Sequence, residues 1–131
     1  MCLDTTFLID WLRGREAARR KYYEFRNNRD EPEKLTASLI TAYELEKGAR
    51  LSRNLNDLPI VRSLLAELDI LELDKSSVNV ASQIYSDLSR RGKLIGEFDI
   101  LIAATCISGN HELLTNDNDF DHIRGLAKLH Y

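Results

Sequence analysis

The sequence predicts an α/β fold: a mostly parallel sheet with helices on both faces. Three observations predict it. Short apolar runs alternate with amphipathic stretches along the chain, as strands and crossover helices do in a parallel sheet. The length, 131 residues, is that of one ordinary domain with a real core to bury. A composition of 44% hydrophobic and 30% charged residues is that of a globular protein, not a disordered one. No repeat, low-complexity tract or Pro/Gly-rich linker divides the chain, so one domain over residues 1–131 is expected.

The elements follow in order. "MCL" reads as a short strand, and "TTFLIDWLR" starts a helix behind Asp4. Ala18, Tyr22 and Phe25 recur at helical spacing, which predicts a second helix from Arg13 to Arg29, ended by "DEPEK". Tyr22, Tyr23 and Phe25 are expected in the core. "LTAS" is a second strand, followed by a helix from Thr41 through "AYELEKGARL". Pro59 suits the first turn of the next helix, whose Ile60, Val61, Leu64, Leu65 and Leu68 make one apolar face. "DILELD", Asp69 to Asp74, is a third strand. The helix from about Lys75 to Arg91 gathers Ala81, Ile84, Tyr85 and Leu88 and stops at Gly92. A helix from Glu97 to Ser108 follows, then a turn at Gly109-Asn110 and a strand from Glu112 to Thr115. The acidic loop "NDNDFD" leads through a short helical piece and Gly125 to a last strand, Leu126 to Leu129.

The bulk properties exclude several classes. A formal net charge of −3 exerts no general pull on nucleic acid, so any such binding needs a local basic patch. Cys2 and Cys106, with no CxxC, suit reduced thiols in a reducing compartment. Asp4 and Asp10 interrupt the N-terminal apolar stretch, so no secretory leader is expected. The run from Ile100 to Asn110 is too short to span a bilayer. A cytoplasmic protein is expected.

In a parallel sheet, ligands bind at the carboxyl ends of the strands, and there the acids gather. Asp4 follows the first strand, Glu44 lies one helical turn beyond the second, and Asp117 and Asp119 follow the strand ending at Thr115. Asp99 opens a helix whose next residues, "ILIAATC", are fit for burial. Each acid has an ordinary structural explanation. Asp4 would cap a helix, Glu44 would close a T-x-x-E capping box with Thr41, Asp99 would favour a helix dipole, and Asp117 or Asp119 would make an Asx turn. Jointly these explanations weaken, because acids crowded at one sheet edge with no basic partner nearby in sequence repel one another. The usual remedy is a hard divalent cation such as Mg²⁺ or Mn²⁺. Other chemistries fit less well. "DTT" lacks the second acid of a phosphoaspartyl hydrolase, no lysine is placed for a receiver domain, and His111, His122, His130 and the cysteines show no zinc spacing. There is no phosphate-cradling glycine loop.

These residues resemble the PIN domain, in particular VapC-type toxin ribonucleases of type II toxin–antitoxin systems. The resemblance runs through "LDTTFLIDWL", "TAYELEKGA", "LSRRGKLIGEFDILIAATC" and "LLTNDNDF", essentially the whole chain. It implies a three-layer α/β/α sandwich around a five-stranded parallel sheet and a carboxylate site that binds Mg²⁺ or Mn²⁺ and cuts RNA, leaving a 5′-phosphate and a 3′-hydroxyl. Carried over, it assigns Asp4, Glu44, Asp99 and Asp117 to catalysis. Asp4 and Asp99 would be direct metal ligands, Asp117 a direct or water-mediated one, and Asp119 a further metal ligand. Glu44 would ligate or orient water. Thr5 or Thr6, and Thr115 or Asn116, fall where relatives place supporting polar groups. Two departures stand out: the first strand begins almost at Met1, which implies a start a few residues short, and Phe98 is bulkier than the small residue frequent beside the third acid.

An acidic pocket repels a nucleic-acid backbone, so positive charge is needed nearby. Arg13, Arg15, Arg19, Arg20, Lys21, Arg26 and Arg29 outnumber Glu16 and Glu24 in one stretch, and "SRRGK" adds Arg90, Arg91 and Lys93. Arg13, Arg15, Arg19, Arg20, Arg90 and Arg91 are candidates for RNA or antitoxin contact, against the alternative of a solvated helix face. The resemblance further implies a cognate VapB-type antitoxin and a homodimer, with apolar residues between Leu51 and Leu65 exposed for pairing. The competing reading is a non-catalytic PIN-like module that binds RNA or a protein.

Overall fold

The computed structural model describes residues 1–27 and 34–131. Among these residues five strands, β1 (Cys2–Leu3), β2 (Thr36–Ser38), β3 (Asp69–Leu71), β4 (Leu113–Leu114) and β5 (Lys128–Leu129), form one sheet in the order β3-β2-β1-β4-β5. Every pairing is parallel. Among the described residues six helices connect them: α1 (Thr5–Leu12), α2 (Glu16–Arg26), α3 (Leu39–Leu51), α4 (Asp57–Ala66), α5 (Lys75–Arg90) and α6 (Glu97–Ser108), with a 3-10 helix at Asn118–His122. On one face of the sheet Phe7, Leu8, Ala18, Tyr22, Leu45, Val61 and Leu64 of α1 to α4 pack against Leu3, Ala37 and Leu114. On the other, Ala81, Ile84 and Leu88 of α5 and Ile100 to Cys106 of α6 pack against Cys2 and Leu113. The expected three layers are therefore present. Among the described residues no helix is long and apolar enough to cross a membrane.

Local chemistry sets the boundaries, and several differ from expectation. The helix expected over Arg13 to Arg29 begins only at Glu16, because Gly14 takes φ +77° and Arg15 is extended; Arg29 lies outside the described residues. The helix expected from Thr41 begins at Leu39, capped by Ser38, whose Oγ accepts from the Thr41 amide at 2.9 Å. Thr41 is thus inside the helix, no capping box joins it to Glu44, and Glu44 is left to other partners. β3 is shorter than "DILELD" because it lies at the sheet edge and pairs only with the three residues of β2; Asp74 then caps α5, its Oδ1 accepting from the Ser77 amide at 2.8 Å. β4 and β5 are likewise shorter than expected. Tyr85 and Ile60 are exposed, Phe25 is only partly buried and Tyr23 is exposed, so these four leave the expected core faces. In each case the smaller or better-placed neighbour on the same helix makes the sheet contact: Ala81 and Ile84, Val61 and Leu64, Ala18 and Tyr22.

Two features position the site. The strand order reverses between β1 and β4, which pair Cys2 with Leu113 and Leu3 with Leu114. Extending that register by one residue sets Asp4 beside Thr115, at the carboxyl ends of adjacent strands where the chain leaves in two directions. α6 is apolar almost all round and buried from Ile102 to Cys106, so its first turn, carrying Glu97 and Asp99, is held rigidly against the same sheet edge.

Candidate active site

Asp4 is the most buried of the acids, 2% exposed. Its Oδ1 accepts from the Thr5 amide at 2.8 Å and its Oδ2 accepts from the Thr115 hydroxyl at 2.8 Å. The Thr115 Oγ1 also accepts from the Asp117 amide at 3.0 Å, and the Asp117 Oδ1 accepts from the Asp119 amide at 2.9 Å. On the other side, the Thr5 hydroxyl donates to Glu44 Oε2 at 2.7 Å and lies 3.3 Å from the Thr41 hydroxyl. Glu44, Thr5, Asp4, Thr115, Asp117 and Asp119 are therefore linked in one line across the ends of α3, β1 and β4. Asp99 reaches that line from α6. One carboxylate oxygen from each of Asp99, Asp117 and Asp119 lies within 4.8 Å of the others. Asp4 and Glu44 stand outside this group of three and join it through the two threonines and through their charge.

The electrostatics reflect the crowding. Burial raises the Asp4 carboxyl to about 6, against the hydrogen bonds from Thr115 and Thr5, and the charges of Asp117 and Glu44 push it further up. Asp99 is raised to about 6, chiefly by burial, then by the charges of Asp4, Asp117, Glu44 and Asp119. No cation among the described residues pairs with any of the five acids. A set of hard oxygen donors short of positive charge is the donor set that a small divalent cation takes.

Of the polar residues expected to support the site, Thr5 and Thr115 bond to the acids. Thr6 is exposed on α1, and the Asn116 side chain instead grips Tyr131, donating to its carbonyl at 2.8 Å and accepting from its amide at 3.0 Å. Two residues of the network carry no site signal in the sequence, where Thr41 reads only as a helix cap. Thr41 sits beside Thr5, and Ser38 donates to the Thr41 Oγ1 at 3.0 Å; a buried hydroxyl on a helix carries no periodic signature. Gly96 is a third: a methyl group there would come within 2.9 Å of Asp99 Oδ2. The candidate arginines divide. Arg91 bonds to Asp87 and donates to the His122 carbonyl at 2.6 Å, tying α5 to the 3-10 helix. Arg15 approaches Asp10 at 3.8 Å, while Arg13, Arg19, Arg20 and Arg90 are exposed. Arg13 and Glu44 also border a groove of about 440 Å³ between α1, α3 and α4, whose walls include Leu12, Leu45 and Val61.

Comparison with known proteins places this geometry. Residues 1–126 match the family model of the PIN domain. The chain is 27% identical over 126 residues to the tRNA(fMet)-specific endonuclease VapC of Shigella flexneri, covering 95% of this chain and 92% of that protein. It is 30% identical over 130 residues to ribonuclease VapC1 of Rickettsia felis, covering 98% and 94%. The crystal structure of DNA-bound VapBC from Salmonella typhimurium superposes with a TM-score of 0.86 at 26% identity, covering 98% of this chain and 96% of that one.

Proposed function

The chain belongs to the PIN domain family, and from that premise we propose that it is a VapC-like endoribonuclease, a toxin that hydrolyses RNA phosphodiester bonds with Mg²⁺ or Mn²⁺. One observation carries the metal requirement: three carboxylate oxygens, from Asp99, Asp117 and Asp119, converge within 4.8 Å, and among the described residues no cation pairs with them. Two relatives that match nearly its whole length are named ribonucleases or endonucleases. We read residues 1–131 as one domain, acting in the cytoplasm; two buried free thiols suit a reducing compartment.

A bound divalent cation supplies charge neutralisation and Lewis acidity toward water and the scissile phosphate. Asp99, Asp117 and Asp119, whose oxygens converge, would hold it, with Asp4 as a further ligand from the end of β1. Thr115 fixes the Asp4 carboxylate and, through the Asp117 amide, the loop that follows β4. Thr5 holds Glu44 through Oε2, and the other oxygen of Glu44 would ligate the cation or orient the attacking water. The groove between α1, α3 and α4 fits an apolar segment of a VapB-type antitoxin, with Arg13 at its border for an acidic residue.

The test is cleavage of short single-stranded RNAs with and without Mn²⁺, using the wild type and Asp99→Asn. Metal-dependent cleavage lost in the variant is the expected result. Wild-type cleavage by Asp99→Asn overturns the site, and RNA bound but uncut by the wild type favours a non-catalytic binding module.

A further inference from the structure

Two aromatic residues immediately precede two of the site acids: Tyr43 before Glu44, and Phe98 before Asp99. They come from different helices, α3 and α6, yet their rings meet edge to face, with centroids 5.7 Å apart at 83°. Lys47, one turn after Tyr43, holds its ammonium 5.2 Å from the Tyr43 centroid and 5.3 Å from that of Phe98. Neither ring belongs to either core: Tyr43 is 53% exposed and Phe98 is partly buried. Lys47 is exposed and pairs with no carboxylate among the described residues.

We propose that Tyr43, Phe98 and Lys47 form a platform for one unpaired base beside the scissile phosphate, a proposal that rests on the ribonuclease reading above. A site with five acids repels the substrate backbone, so affinity must come from contacts that do not depend on backbone charge, or from a cation placed beside the acids. An aromatic ring stacks any base, because every base has a π face. Lys47, held over the rings by their quadrupoles, stands within reach of the phosphate that joins the stacked base to its neighbour. A base inside a duplex is already stacked on both faces, so the platform takes single-stranded RNA, a loop or an end. Tyr43 and Phe98 adjoin Glu44 and Asp99 along α3 and α6, and a nucleotide stacked on them would lie near the bond being cut, which makes the platform a determinant of where the strand is cleaved.

The experiment uses short single-stranded RNAs that the wild type cleaves with Mn²⁺, each carrying one abasic nucleotide at successive positions around the scissile bond. Wild type, Phe98→Ala, Phe98→Tyr and Tyr43→Ala are compared, with the oligomeric state of each recorded by sedimentation. Removing the base at one position lowers wild-type kcat/KM by about tenfold. The same substrate costs Phe98→Ala and Tyr43→Ala nothing further, and Phe98→Tyr behaves as wild type. Equal abasic penalties in wild type and variants overturn the platform. So do variants that cleave normally but change oligomeric state, because the rings would then be a contact between copies. A wild type that cuts none of the RNAs is a different failure: it overturns the ribonuclease reading and the platform with it. Tyr43 is exposed, so its alanine variant remains informative even if Phe98→Ala fails to fold.

Discussion

Asp99 shows at the scale of one residue why a carboxylate opens an otherwise apolar helix. Its charge is disfavoured by burial and by the acids around it, and its carboxyl is raised to about 6 from the ordinary 3.8. Without metal, the folded protein between those two pH values binds more protons than the unfolded chain, so its stability falls as pH rises through that window. Asp99→Asn removes the Asp99 share of this dependence and leaves that of Asp4. We expect the metal-free variant to melt above the wild type at pH 7, by up to about 1 kcal/mol after solvent screening, and the two curves to converge below pH 4. Thermal unfolding with chelator across pH checks it; a variant less stable than wild type at pH 7 would mean that the carboxylate serves the fold rather than a metal. Asp4 shows the same upward shift and a double role: it caps α1 and faces the site. The sequence offers capping and ligation as rivals for Asp4; the geometry shows the cap through Oδ1 and ties Oδ2 to the Thr115 hydroxyl, which joins Asp4 to the loop of Asp117 and Asp119.

α6 matches its expected bounds of Glu97 to Ser108 because its signal is strong: an acid-bearing first turn, an unbroken apolar run and a glycine after the last residue. α3 begins two residues before the expected Thr41 because Ser38 and Thr41 are equally good caps in a sequence. Only the β2 ladder, which ends at Ser38, decides between them. That small shift turns Glu44 from a capping partner into a neighbour of Thr5. At the start of α6, Gly96 has ordinary helix-entry angles, φ −58° and ψ 141°, that any residue adopts, so the 2.9 Å approach of a methyl group to Asp99 Oδ2 is the whole cost of a side chain there. Gly96→Ala should leave the fold intact and displace that carboxylate, weakening Mn²⁺ binding by about tenfold. Titration calorimetry measures this, and an unchanged affinity would show that Asp99 has room to return.

On the whole molecule, apolar side chains remain uncovered near α3 and α4: Leu51 is 80% exposed, Leu55 91% and Ile60 51%. A monomer gains nothing from three such residues within ten positions of chain, and pairing of two copies through a shared patch would bury them. We expect a homodimer at micromolar concentration, and Leu55→Glu to shift it toward monomer without loss of helical circular dichroism. Light scattering that shows only monomer in the wild type would remove this expectation.

The alternation of apolar runs and amphipathic stretches, together with the acids that follow the runs, determined by itself the α/β class, the parallel sheet and the edge where the acids gather. Those are local and periodic properties, written in residue type and spacing. The tertiary structure alone decided which acids come together. Asp99, Asp117 and Asp119 converge while Asp4 and Glu44 join through Thr5 and Thr115, because the β1–β4 register and the seat of α6 fix distances between residues far apart in sequence, 39 positions for Thr5 and Glu44 and 111 for Asp4 and Thr115, which no local pattern encodes.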